Sequence, residues 1–183
     1  MIVILEGCDN SGKSTLGKKL SADLNMSICH PGGPPADIAH AIYRCIEQAG
    51  VMSLTSHVNL IYDRVTCISD MIYRNDDRYD MIFHHFQREL LEARCFIIYC
   101  RPSDERLKNF SDHVNQIHDT PEIVEFAKNN IERIINDYDR LIRSLPIVYP
   151  ARSNIIEYNF ENDSEGRLYN LILSRLKWEI ENA

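Results

Sequence analysis

Short apolar runs recur along the chain at Ile2 to Leu5, Met26 to Cys29, Val58 to Tyr62, Cys95 to Cys100 and Asn154 to Tyr158. They are of strand length and rich in Ile, Val and Tyr. Between them the apolar positions change to helical spacing. Leu16, Leu20 and Leu24 share one face, Ile38, Ile42 and Cys45 another, and Phe83, Phe86 and Leu90 a third. Gly50 is placed to end the second of these helices. The longest pattern runs Val124, Ala127, Ile131, Ile134, Tyr138, Leu141 and Leu145, opened by Thr120 and Pro121 as cap and first-turn residue. A last helix covers roughly Ser164 to Ile180. Apolar strands bounded by helices are what a parallel sheet covered on both faces requires. The pattern predicts an α/β fold, a doubly wound five-stranded parallel sheet with helices on both faces.

No internal repeat, low-complexity tract or Pro, Gly or Ser-rich linker interrupts this order, so the 183 residues are expected to form a single domain, 1–183. Lys and Arg number 20 against 27 Asp and Glu, a net charge of -7. That balance argues against nucleic acid or an anionic membrane as partner, since both are met by a spread of basic residues. Any basic site is local. Six cysteines lack a C-x-x-C pair and are expected to be free thiols. The opening apolar run is too short for a signal peptide or a membrane span, which points to a reducing, cytoplasmic location.

The first strand leads into Gly7-Cys8-Asp9-Asn10-Ser11-Gly12-Lys13-Ser14-Thr15, a G-x-x-x-x-G-K-[ST] segment set between strand and helix. Its glycines let backbone N–H groups turn inward toward phosphate oxygens, and the start of the next helix adds its positive dipole end. Lys13 is placed to reach the β and γ phosphates, and Ser14 offers a hydroxyl to Mg²⁺. A chance match is on the order of one in a thousand. ATP and Mg²⁺ are therefore the expected ligands, on a P-loop NTPase fold.

The wider run Glu6 to Thr15 resembles the E-G-x-D-x-x-G-K-[ST]-T opening of thymidylate kinases and related deoxynucleoside kinases. Pro31-Gly32-Gly33 resembles the P-G-G of thymidylate kinases, and Asp63-Arg64 their D-R, with Ser69 and Tyr73 following at one residue longer spacing. The resemblance covers about the first 75 residues. It implies that Asp9, Pro31, Gly32, Arg64, Ser69 and Tyr73 line an acceptor site and that Asp9 serves a metal or the acceptor sugar. For assembly it implies a homodimer through a buried helix. Asp63 and Arg64 also make sense alone, since side chains at the carboxyl end of a strand project into the ligand crevice of such sheets. Adjacent strand residues point to opposite faces, so only one of the two faces the ligand if the strand continues. Arg64 is assigned to phosphate contact, and Asp63 to Mg²⁺ or to acceptor orientation. Monophosphate kinases carry a basic lid near residues 101–119, for which Arg101, Arg106 and Lys108 are the candidates, Arg101 as a catalytic residue.

Two positions depart from the pattern. Between Gly33 and Asp63 lie 29 residues, enough for one helix where the family has two, and the family's Glu before P-G-G is His30. The second helix is the one that carries the thymine-stacking aromatic. The expected reaction is ATP- and Mg²⁺-dependent phosphorylation of a deoxynucleoside monophosphate to the diphosphate. A nucleoside 5′-hydroxyl as acceptor, with Glu6 or Asp63 taking its proton, is the first alternative. A nucleic-acid 5′-end kinase and a non-catalytic nucleotide-binding protein are the others. His84-His85 is read as a core-and-surface pair, not a metal site.

Overall fold

The computed structural model describes residues 1–54, 59–74, 80–93, 95–109, 121–148 and 154–182. Strands β1 (Ile2–Glu6), β2 (Ser27–Cys29), β3 (Leu60–Asp63), β4 (Phe96–Cys100) and β5 (Asn154–Tyr158) form one parallel sheet in the order β2-β3-β1-β4-β5. The helices are α1 (Lys13–Leu24), α2 (Ile38–Leu54), α3 (Thr66–Arg74), α4 (Asp80–Glu92), α5 (Asp104–Lys108), α6 (Pro121–Val148) and α7 (Arg167–Glu181). Alternation along the buried strands sorts the core into two layers. Val3, Leu5, Ile61 and Ile98 pack with Leu16 and Leu20 of α1 and Ile172 and Leu176 of α7. Ile2, Ile4, Ile97 and Tyr99 pack instead with α2, α3, α4 and α6 through Cys45, Ile68, Phe83, Ile134 and Tyr138. The chain leaves β1 toward β2, while β4 and β5 lie on its other side. Strand order reverses there, and the crevice opens at the carboxyl ends beside β1.

Several boundaries differ from the sequence expectation. Helix α2 runs through Gly50 to Leu54. One helical glycine costs about 1 kcal/mol, less than the roughly 2 kcal/mol gained by burying Met52 in the next turn. Strand β3 is shifted toward Asp63, because Asp63 pairs with Leu5 and keeps its place in the ladder; Val58 lies outside the described residues. Helix α7 starts at Arg167, since the Asp163 carboxylate accepts from the amides of Leu168 and Tyr169 and fixes the first turn there. Helix α3 was not anticipated, although Val65, Ile68 and Ile72 have its spacing. Thr120 and lid residues 110–119 lie outside the described residues. All six cysteines are free. Among the described residues no helix is long and apolar enough to cross a membrane.

Candidate active site

Three left-handed residues shape the loop between β1 and α1: Gly7 (φ +138°), Asn10 (φ +57°) and Gly12 (φ +84°). At Gly7 the end of β4 crosses so closely that a β-carbon would collide with the Cys100 carbonyl oxygen, so only glycine fits. Gly12 precedes α1 and no side chain caps that helix. Its first-turn amides therefore face the cleft without a side-chain acceptor. Lys13 is 7% exposed. Its Nζ donates to the carbonyls of Gly7 (3.0 Å) and Cys8 (2.5 Å) and to Ser11 Oγ (3.2 Å). Burial, then the Arg64 charge, lowers its pKa, while Asp9 opposes both.

Arg64 resolves the two-faces problem of Asp63 and Arg64. Strand β3 ends at Asp63, and Arg64 takes φ +76° while its amide still donates to the Leu5 carbonyl. The left-handed turn brings both side chains onto the cleft, where the alternation rule allowed one. Arg64 Nη2 pairs with Asp9 and lies 3.2 Å from the Tyr73 hydroxyl, which in turn donates to Asp9 Oδ2 at 3.1 Å. Burial keeps the Tyr73 phenol protonated by pushing its pKa well up. Burial also works to raise the Asp9 pKa, but the Arg64 and Lys13 charges outweigh it and hold Asp9 below the usual carboxylate range. On the other side of the loop, Ser14 Oγ donates to Asp63 Oδ2 at 3.2 Å, and His30 Nδ1 lies 3.5 Å from the same oxygen. A hydroxyl and a carboxylate beside a phosphate cradle are the hard oxygen donors that suit Mg²⁺.

Glu6, one residue before the loop, is fully buried and does not line the cleft. It accepts from the Val65 amide (2.7 Å) and the Tyr138 hydroxyl (3.1 Å), while Gln48 accepts from the Thr66 amide. Together the two side chains hold the turn that carries Asp63 and Arg64. Burial pushes the Glu6 pKa up from 4.5 to about 7, against the Val65 amide and the Arg64 charge. A raised carboxyl pKa means the folded chain keeps a proton that the unfolded chain has released. Its stabilising contribution is full below the unfolded value and is lost as pH rises through the folded one. Glu6→Gln, which keeps an acceptor for Val65, removes that slope. Relative to the parent it gains stability between about pH 5 and pH 8, by at most about 3 kcal/mol. Denaturant midpoints across this range test the assignment, and parallel profiles would refute it.

The cleft holds about 940 Å³ and is lined by Asp9 to Leu16, the His30 to Pro35 turn, and Asp63, Arg64, Ser69 and Tyr73. The expected loop and acceptor residues are thus brought together, except that Gly7 does not line the cleft and lies against the Cys100 carbonyl. Arg101 is not among the lining residues. Its Nε donates to both carboxylate oxygens of Asp139 of α6 (3.1 and 3.2 Å) and its Nη2 pairs with Asp104 at 3.0 Å, which turns it away. Arg106 takes the place expected of Arg101: it lines the cleft, lies over the Phe160 ring at 5.0 Å and approaches Glu161 at 3.9 Å. Phe160 itself lies against Gly12, 2.8 Å from where a β-carbon would stand. Arg106 is one of the lid candidates, whereas Arg44 and Phe160 are absent from the residues picked out by motif, because no local pattern marks them.

No protein-family model and no curated protein matches the chain. Solved structures do. The YorR protein of Bacillus subtilis, in complex with phosphorylated GDP, is 17% identical with a TM-score of 0.66, covering 99% of this chain and 98% of that one. Deoxyadenosine kinase from M. mycoides with bound dATP is 18% identical with a TM-score of 0.63, covering 97% of this chain and 99% of that one. The same enzyme with dCMP and a flexible dCDP gives 17% and 0.60. The fold is therefore that of P-loop kinases, along nearly the whole chain.

Proposed function

We propose that the chain transfers the γ-phosphoryl group of ATP, with Mg²⁺, to the phosphate of a deoxynucleoside monophosphate. One observation carries the choice of acceptor: among the described residues, each carboxylate lining the cleft already has its own partner. Asp9 is held by Arg64 and Tyr73, Asp63 by Ser14 and His30, Asp70 by Arg74, and Asp163 by the amides of Leu168 and Tyr169. A 5′-hydroxyl needs a group to take its proton. An anionic phosphate oxygen does not, and it suits a cleft walled by arginines. The P-loop kinase fold and the resemblance of the Glu6 to Thr15 and Asp63-Arg64 segments to thymidylate kinases support the nucleotide and the deoxy sugar.

In this mechanism the loop amides and the first turn of α1 hold the phosphates of ATP. Lys13 exchanges its contacts with Gly7 and Cys8 for the β and γ phosphates. Ser14 and Asp63 would hold Mg²⁺, which when bound supplies charge neutralisation across those phosphates. Arg64, kept extended by Asp9, faces the transferring group and stabilises the charge that develops on it. Arg106 and Phe160 close the nucleotide side against water. No side chain has to accept a proton during transfer. The test is ADP release from Mg·ATP with a panel of deoxynucleoside monophosphates, nucleosides and 5′-hydroxyl oligonucleotides. Stimulation by a monophosphate alone is expected; stimulation by nucleosides and by no monophosphate would reverse the assignment.

A further inference from the structure

Three consecutive amides of the turn after β3 are held. The Arg64 amide donates to the Leu5 carbonyl at 2.9 Å, that of Val65 to Glu6 Oε1 at 2.7 Å and that of Thr66 to Gln48 Oε1 at 2.9 Å. The turn needs holding, because Arg64 has a left-handed φ that a residue with a β-carbon leaves readily. Glu6 is fully buried, and its second oxygen accepts from the hydroxyl of Tyr138 on α6, also fully buried, at 3.1 Å. A carboxylate with both oxygens engaged presents one geometry to Val65. With one oxygen left bare in the core it turns to seek another donor.

The next residue of α6 holds the other cationic arm of the cleft. Both oxygens of Asp139 accept from Arg101 Nε, and one accepts from the Tyr99 hydroxyl at 2.8 Å, with Arg143 3.5 Å away. Arg101 passes the restraint to Asp104, the first residue of α5, and α5 carries Arg106 over the Phe160 ring. The rings of Tyr99 and Tyr138 stack with centroids 5.7 Å apart, so the two supports brace each other. Neither Tyr138 nor Asp139 lines the cleft. We propose that these two neighbours on α6 are positioning residues, Tyr138 setting Arg64 through Glu6 and Asp139 setting Arg106 through Arg101, so that the seating of one helix governs phosphoryl transfer. The inference rests on the phosphotransferase reading above. Transfer of this kind is mostly placement and charge stabilisation, and a misplacement of about 1 Å is enough to slow it.

Two variants that keep side-chain volume test it, with ADP release as the readout. Tyr138→Phe should lower kcat by about 3- to 30-fold with the KM for ATP unchanged, and Asp139→Asn should raise the KM for ATP by a similar factor. The first effect should vanish in an Arg64→Ala background and the second in an Arg106→Ala background, which a merely structural loss would not do. Arg101→Lys, which keeps the charge but not the Nε contact, should repeat Asp139→Asn and serves if that variant does not fold. Effects that persist in those backgrounds, or parental kinetics in either variant, overturn the proposal. Hydrogen exchange on the unliganded chain reads the same placement without turnover. Tyr138→Phe should speed exchange at amides 64–66 and spare 103–107, and Asp139→Asn the reverse; uniform acceleration would mean that both side chains only stabilise the core, and refutes the proposal. The two readings fail separately. If the parent transfers to no acceptor, the phosphotransferase reading falls and the exchange pattern alone decides the positioning claim, whereas transfer by the parent with unsplit kinetics in the variants sinks this one alone.

Discussion

Lys13→Ala is expected to lower ATP-dependent phosphoryl transfer by on the order of 10³-fold, about 4 kcal/mol of transition-state stabilisation, and ATP binding should fall with it. The size follows from burial. Nζ sits in a pocket of backbone carbonyls where water is scarce, so the charge acts there at far more than its value in bulk solvent. No other lysine or arginine emerges from the loop itself to replace it. ADP release measures the transfer and competition with a fluorescent ATP analogue measures the binding. A thermal melt separates both from unfolding. A variant that melts like the parent and retains transfer within about tenfold would show that the lysine does not act on the transferring group.

Arg64 gives the second large effect, and two substitutions divide it. Arg64→Ala and Arg64→Gly should each lower kcat by about 10² to 10³-fold while leaving ATP affinity nearly intact, since each removes a guanidinium aimed at developing charge. They should part in stability. At φ +76° a residue with a β-carbon is strained and glycine is not, so the Gly variant should be the more stable by about 1 kcal/mol. Losing Arg64 also removes a charge that holds the Asp9 pKa down against burial. A carboxylate with a depressed pKa stabilises the fold above its unfolded pKa and loses that contribution as pH falls through the folded value. Both variants should therefore lose more stability near neutral pH than in acid. Urea midpoints at two pH values read this, and an unchanged kcat would remove Arg64 from the site.

The sheet was legible because buried strands repeat their apolar residues locally, and β5 carries the bounds that its sequence suggests. The loop was legible because phosphate binding demands particular residues at fixed spacing. What escaped depends on partners far along the chain. Arg101 and Arg106 look alike in sequence. Asp139, 38 residues beyond Arg101, claims the first, and Ser103, by capping α5 through the Arg106 amide, sets the turn that carries the second. The left-handed Arg64 defeated an alternation rule that holds only while a strand continues. Arg44 lies off the apolar face marked by Ile38, Ile42 and Cys45, and a question about what its polar side met would have found the Gly33 carbonyl, to which its Nη1 donates.

The two-layered core carries a consequence for descent. Lys13 and Ser14 stand on α1, which packs with α7 on one face of the sheet, whereas Arg44, Ser69 and Tyr73 stand on α2 and α3, on the other. Repacking beneath α2 or α3 reshapes that side of the cleft while leaving the α1 and α7 layer in place, because contacts deep in one layer end at the sheet. Under the proposed function, the nucleotide grip and the choice of acceptor are thus separately heritable traits on a shared backbone. A lineage can exchange one small molecule for another by substitutions in the α2 and α3 layer while the loop and α1 stay as they are.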